Sequence, residues 1–132
     1  MGLVSTSVTI RNPREPEKPP VITNALADSG ALHLCIPHAI ADKLELEELK
    51  TRTVETADGS THEVPYVGPI HIEVCGRDCF TGALVMGNEV LLGAVPMEDM
   101  DLWISPARHQ VVTNPASPEH PLSVAKGFRD VR

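Results

Sequence analysis

Twelve prolines and nine glycines punctuate these 132 residues, and few stretches between them could hold a helix of ordinary length. Proline lacks a backbone N–H and fixes φ, so it ends helices and is barred from central strands, while glycine marks turns. A chain cut this often favours short strands joined by tight turns. The apolar pattern agrees: Val4, Ser5, Thr6, Ser7, Val8, Thr9 and Ile10 are mostly β-branched, which predicts a half-exposed strand over Leu3–Ile10. Pro13, Pro16, Pro19 and Pro20 then leave Arg11–Pro20 as an extended loop.

Val21 to Ala27 and Ala31 to Ile36 read as buried strands on either side of a tight loop at Asp28-Ser29-Gly30. Pro37 suits the first position of a helix, and Ala39, Ile40, Leu44 and Leu46 carry helical spacing toward Lys50. Thr51–Thr56 and Thr61–Val67 flank Ala57-Asp58-Gly59-Ser60, where Asp-Gly predicts a projecting hairpin. A second hairpin joins Ile70–Val74 to Phe80–Met86 through Cys75-Gly76-Arg77-Asp78. Val90-Leu91-Leu92-Gly93 is a short apolar strand whose glycine implies close approach by another segment. A helical turn over Pro96–Met100 and a last hairpin, Leu102–Ile104 with Gln110–Thr113, complete the pattern.

The length suits one domain, taken as residues 1–113 with the Pro-rich loop 11–20 inside it. Residues 114–132 carry Pro115, Pro118 and Pro121 with few core-forming side chains and read as a flexible, slightly basic tail through Lys126, Arg129 and Arg132. Aromatic residues are only 3% of the whole, so the core must be aliphatic. A net charge of −7 offers no phosphate-neutralising surface and argues against nucleic acid as a partner. No apolar run approaches the ~20 residues that span a bilayer, and the start has no signal-peptide pattern, so no membrane is implied. Three cysteines are too few for a disulfide scaffold; a soluble protein of the reducing cytoplasm is expected.

The residue that asks for explanation is Asp28, an acid in a glycine turn between two apolar runs. As a plain turn, Asp28 accepts backbone N–H bonds and Gly30 supplies an unusual φ. The context adds chemistry. Asp28-Ser29-Gly30-Ala31, a glycine-bearing hairpin about Asp58-Gly59 and the strand Leu91-Leu92-Gly93-Ala94 together resemble the retropepsin-like (retroviral-type) aspartic proteases, most closely the bacterial stand-alone members. The resemblance covers roughly Leu3 to Thr113.

That resemblance implies an all-β, closed-barrel-like retropepsin (acid protease) fold with one or two short helices. It implies that Asp28 is the catalytic acid or base, with Ser29, Gly30 and Ala31 supporting the loop. Ala57, Asp58, Gly59 and Ser60 would form a flap over substrate, and Leu91, Leu92 and Gly93 would pack beneath the loop. Peptide hydrolysis by acid–base chemistry needs one group to take a proton from water and another to give one to the carbonyl. Two carboxylates sharing a proton do both, because like charges a few Å apart cannot both ionise. A single loop per chain puts the second Asp28 on a twin, so the resemblance implies a homodimer acting on a peptide or protein substrate with apolar side chains beside the cut. No cofactor, no metal and no covalent intermediate are called for. A second reading is a catalytically inactive retropepsin-like module that binds a peptide or protein partner in the same groove; a third makes the Pro-rich tail a docking segment.

Other candidates carry less. His71, Cys75 and Cys79 recur every four residues, a spacing that does not converge on one metal from alternating strands. Cys75 and Cys79 bracket a predicted turn and could face each other. Cys35 reads as core, His38, His62, His109 and His120 as solvated, and Glu45, Glu47 and Glu48 as a solvated acidic face. His33 stands where the resembled family usually has an apolar residue.

Overall fold

A computed structural model of the chain describes residues 4–125. Among them the elements run β1 (Val4–Arg11), β2 (Val21–Ala27), β3 (Leu34–Ile36), α1 (His38–Lys43), β4 (Glu47–Glu55), β5 (Thr61–Val74), β6 (Arg77–Val85), β7 (Val90–Leu92), α2 (Ala94–Asp99), β8 (Leu102–Ser105) and β9 (Gln110–Thr113). The sheet runs β1-β2-β7-β3-β6-β5-β4, and β1 also pairs with β5. That extra pairing, Thr9 to Glu73 through Arg11 to His71, closes six strands into a barrel and leaves β4 hanging from β5 as a hairpin arm. The strands β8 and β9 form a separate two-stranded sheet.

The barrel is filled by aliphatic side chains. Val8, Ile10, Leu34, Ile36, Ile70, Ile72 and Leu92 are fully buried, each adding about 2 kcal/mol of burial free energy. Phe80 and Trp103 stay exposed, so branched aliphatics carry the packing, as the aromatic-poor sequence requires.

The central crossing is made by β7. It runs parallel to β2, pairing Ala25–Ala27 with Val90–Leu92, and meets β3 antiparallel at Cys35–Leu91. It thereby fills the gap that the Asp28 loop opens between β2 and β3.

Several boundaries differ from the sequence reading, among them the start of α2, which begins at Ala94 rather than Pro96. The strand expected over Ala31–Ile36 begins only at Leu34, because the carbonyls of Ala31 and Leu32 are taken by the N–H groups of Ala94 and Val95 at 2.8 and 2.9 Å. The helix expected to reach Lys50 stops after Lys43; Glu45 turns left-handed at φ 50°, and β4 starts at Glu47 rather than Thr51. The strands expected at 61–67 and 70–74 are one long β5, whose pairing with β6 shifts register between Val67 and Ile70. The second hairpin turns tightly on Cys75 and Gly76, both with positive φ, so Arg77 and Asp78 already belong to β6. Leu3 lies outside the described residues.

Two buried polar side chains fasten loops to this frame. Asn12 donates through Nδ2 to the Leu44 carbonyl at 2.9 Å, tying the Pro-rich loop to the end of α1. Arg14 pairs with Glu47 and Lys18 with Glu45, so the acidic face at the helix end holds that loop as well. Arg77 is buried and donates to the carbonyls of Met100, Asp101 and Ser117. It neutralises the carbonyl end of α2 and catches the chain after β9. Asn114, Ser117 and the Leu122 N–H all donate to the Asp101 carboxylate. The early part of the segment read as a tail is therefore tethered; Lys126, Arg129 and Arg132 lie outside the described residues.

Candidate active site

Asp28 follows the last residue of β2 and is held by its backbone on both sides. Its N–H donates to the Leu92 carbonyl at 3.0 Å and its own carbonyl accepts from the Ala31 N–H at 3.1 Å. Carboxylate Oδ1 accepts the Gly30 N–H at 2.9 Å. A side chain at Gly30 would bring its Cβ to 3.1 Å from that oxygen, so glycine lets the turn curl around the carboxylate. Gly93 is under heavier constraint. A Cβ there would lie 2.3 Å from the His33 carbonyl oxygen and 2.8 Å from that of Ala31, so the turn is clamped from beneath by a backbone that only glycine can bring so near.

Above this turn the β4–β5 hairpin projects. At its tip the N–H of Thr56 meets the Ser60 carbonyl at 2.9 Å, and Gly59, at φ +86°, donates to the Thr56 carbonyl at 2.9 Å. Asp58 accepts from the Thr56 hydroxyl at 2.7 Å and from the Ser60 N–H and hydroxyl at 3.0 and 2.6 Å. Those bonds, the Ser60 hydroxyl first, pull its carboxyl from the ordinary 3.8 to about 2. The carboxylate is spent on holding the tip.

Between loop and hairpin lies a groove of about 510 Å³. Asp28, Gly30, Ala31 and Leu91 line one side and the arm from Arg52 to Ala57 the other. Ser29 is exposed on the outer side of the turn, beside a smaller hollow bounded by Trp103 and Ile104. Asp58, Gly59 and Ser60 are not among the groove-lining residues, and Leu92 and Gly93 support it from below. Thus Asp28, Gly30, Ala31, Ala57 and Leu91 share one cleft; the other expected residues form its frame.

The groove also contains residues that the sequence reading did not assign to it. Arg52 and His33 both line it. Arg52 gives no motif, but positions 50, 52 and 54 alternate onto one face of β4, and that period was the available signal. His33 lies just before β3, its Nε2 buried without a partner. Burial first, then Arg52 and Lys50, lower its pKa, which keeps the ring neutral. Cys35 lines the groove too, but burial raises its thiol pKa, so a thiolate nucleophile is disfavoured.

A larger hollow of about 790 Å³ lies between β6, α2 and the segment Leu122–Val124. Its chemistry is poor. Asp101 there is saturated by donors, Ser117 foremost, and pulled down to about 2, while burial, then Asp99, push the Cys79 thiol up to about 12. The spacing of His71, Cys75 and Cys79 builds nothing common: His71 bonds Asp78 at 2.7 Å and stacks on Phe80, the Cys75 thiol points to the Val111 carbonyl at 3.3 Å, and Cys79 is buried opposite Ile72. All three cysteines are free. No helix among the described residues is long and apolar enough to cross a membrane.

Among the described residues, then, the Asp28 groove joins a carboxylate with spare acceptor capacity, a backbone-locked turn and the projecting arm of the β4–β5 hairpin. Neither the family models nor the curated proteins compared with this chain match it.

Proposed function

We propose that the chain is an aspartic endopeptidase of the retropepsin type, which works as a homodimer with Asp28 of each copy on the two-fold axis. The observation that carries this reading is the state of Asp28. Its carboxylate keeps one in-chain donor, the Gly30 N–H, and no cation among the described residues pairs with it. A carboxylate fixed in place yet left with unused lone pairs suits water activation.

In the dimer one carboxylate takes a proton from the attacking water while its twin gives one to the scissile carbonyl, and a single shared proton serves both steps. The β4–β5 hairpin covers the substrate and excludes bulk water during the reaction. Exposed apolar side chains at Leu32, Val95 and Trp103 flank the loop, and covering them is a gain available to a second copy. The free thiols accord with action in the cytoplasm.

The test is cleavage of a mixed peptide library by the wild type and by Asp28→Asn, with sedimentation of both across a concentration series. Cleavage by a dimeric wild type, lost in a dimeric Asp28→Asn, is the expected result. A strict monomer at high concentration, or a dimer that cuts nothing between pH 4 and 7, overturns the reading; in the second case the silent peptide-binding module takes its place.

A further inference from the structure

The charge of the groove runs against that of the molecule. The chain carries a net −7, yet the face of β4 turned to Tyr66 bears two cations. A register shift between Glu48 and Lys50 ends the acidic start of the strand, and from there Lys50 and Arg52 alternate onto the same face. Lys50 stands opposite Tyr66 in the pairing, with its Nζ 5.5 Å from the ring centre, and the Arg52 guanidinium lies 6.0 Å from it. Tyr66 is seated by Gly82, where a Cβ would fall 2.4 Å from the ring. The His33 and Tyr66 rings meet in a T-shaped arrangement with their centres 6.1 Å apart. One aromatic platform thus fixes three nitrogen-bearing side chains, of which Arg52 and His33 line the groove itself.

These groups are unspent. Neither Lys50 nor Arg52 has a carboxylate partner among the described residues, and His33 keeps a buried Nε2 with none. Two acids also line the groove, Glu55 and Asp28, and neither forms an ion pair with Arg52 or Lys50.

We propose that the Arg52–His33 wall of the groove, backed by Lys50, is a subsite for an acidic side chain of the peptide substrate. The inference rests on the protease reading and deepens it. A carboxylate accepts two parallel N–H bonds from a guanidinium and takes a further one from a neutral imidazole, so a Glu or Asp side chain satisfies both lining residues at once. The neighbouring wall of Leu84, Met86, Leu91 and Val54 is apolar, so the favoured peptide is apolar with one acidic position.

The experiment has two arms. In the first, a proteome-derived peptide mixture is digested with the wild-type dimer and the cut sites are read by mass spectrometry. At least tenfold enrichment of Glu and Asp at one position is expected, lost in Arg52→Gln and His33→Leu and replaced by Lys and Arg in Arg52→Glu. Cleavage without acidic enrichment overturns the subsite and leaves the protease standing. In the second arm the Asp28→Asn chain is titrated with fluorescein-labelled apolar octapeptides that differ only by Glu or Gln at one scanned position. Tenfold tighter binding of a Glu peptide, abolished by adding Arg52→Gln, supports the subsite even where the wild type cuts nothing. Equal or undetectable binding of both peptides overturns it.

Discussion

Two aspartates, each placed after a structural element in a sharp turn, have been given opposite tasks by their surroundings. Asp101, beyond α2, adopts positive φ and fills its carboxylate with Asn114, Ser117 and the Leu122 N–H, with Arg77 at 3.8 Å. Asp28, beyond β2, accepts one backbone N–H and faces a cleft. At Asp28 the rigidity comes from backbone: the Leu92 carbonyl, the Ala31 N–H and Gly93 pressed beneath. At Asp101 the rigidity comes from the carboxylate itself. A carboxylate that holds the fold together has no acceptor capacity left for a reactant, whereas one held by its main chain does.

The contrast is open to several breaking tests. The largest effect is expected from Asp28→Asn, which removes the proposed acid–base group and should lower cleavage on the order of 10³-fold while the melting temperature stays within error; Asp101→Asn should do the reverse, lowering the melting temperature with turnover per folded molecule unchanged. Gly93→Ala drives a Cβ against the His33 and Ala31 carbonyls; by overpacking alone it should cost about 3 kcal/mol in urea unfolding and shift the Asp28 turn, so activity falls beyond the loss of folded protein. Arg77→Ala, which strips donors from three carbonyls, should cost about 2 kcal/mol by the same assay and increase protease nicking after Thr113.

A pH series sharpens the comparison. The folded Asp101 carboxyl is drawn from 3.8 to about 2, so the folded state binds that proton less readily than the unfolded chain. Its stabilisation is full above the ordinary value and is lost as pH falls through about 2. The melting temperatures of wild type and Asp101→Asn should therefore converge toward pH 2; a gap that persists there would contradict the saturated-carboxylate account. The smallest effect belongs to the hairpin tip. Gly59→Ala, at φ +86° with open space around it, should cost about 1 kcal/mol of local backbone strain, visible in faster hydrogen exchange at Thr56 and Gly59 before any change in global melting.

Much of the architecture was legible because period-two alternation and turn chemistry are local. The Asp58-Gly59 hairpin and the strands at 21–27, 90–92, 102–105 and 110–113 follow from residues near one another in the chain. What local pattern could not show was competition from afar. Ala31 to His33 have strand-like composition, but the carbonyls of Ala31 and Leu32 are claimed by a segment about sixty residues downstream. The helix at 38–43 ends early because Asn12 takes the Leu44 carbonyl and Glu45 can then turn. The candidate groove was legible only in part. Asp28 announced itself through its glycine turn, whereas Arg52 joins the groove only by the folding back of the hairpin. Arg77 read as a turn residue because nothing local reveals the carbonyls it meets.

The position of β7 has a consequence for the order in which the molecule can be made. Its three residues separate β2 from β3, so a nascent chain that has not yet released Val90–Leu92 from the ribosome has Asp28 without its Leu92 anchor. Synthesis and order at the turn are thereby coupled: Asp28 gains its anchor only once the chain has emerged through Leu92.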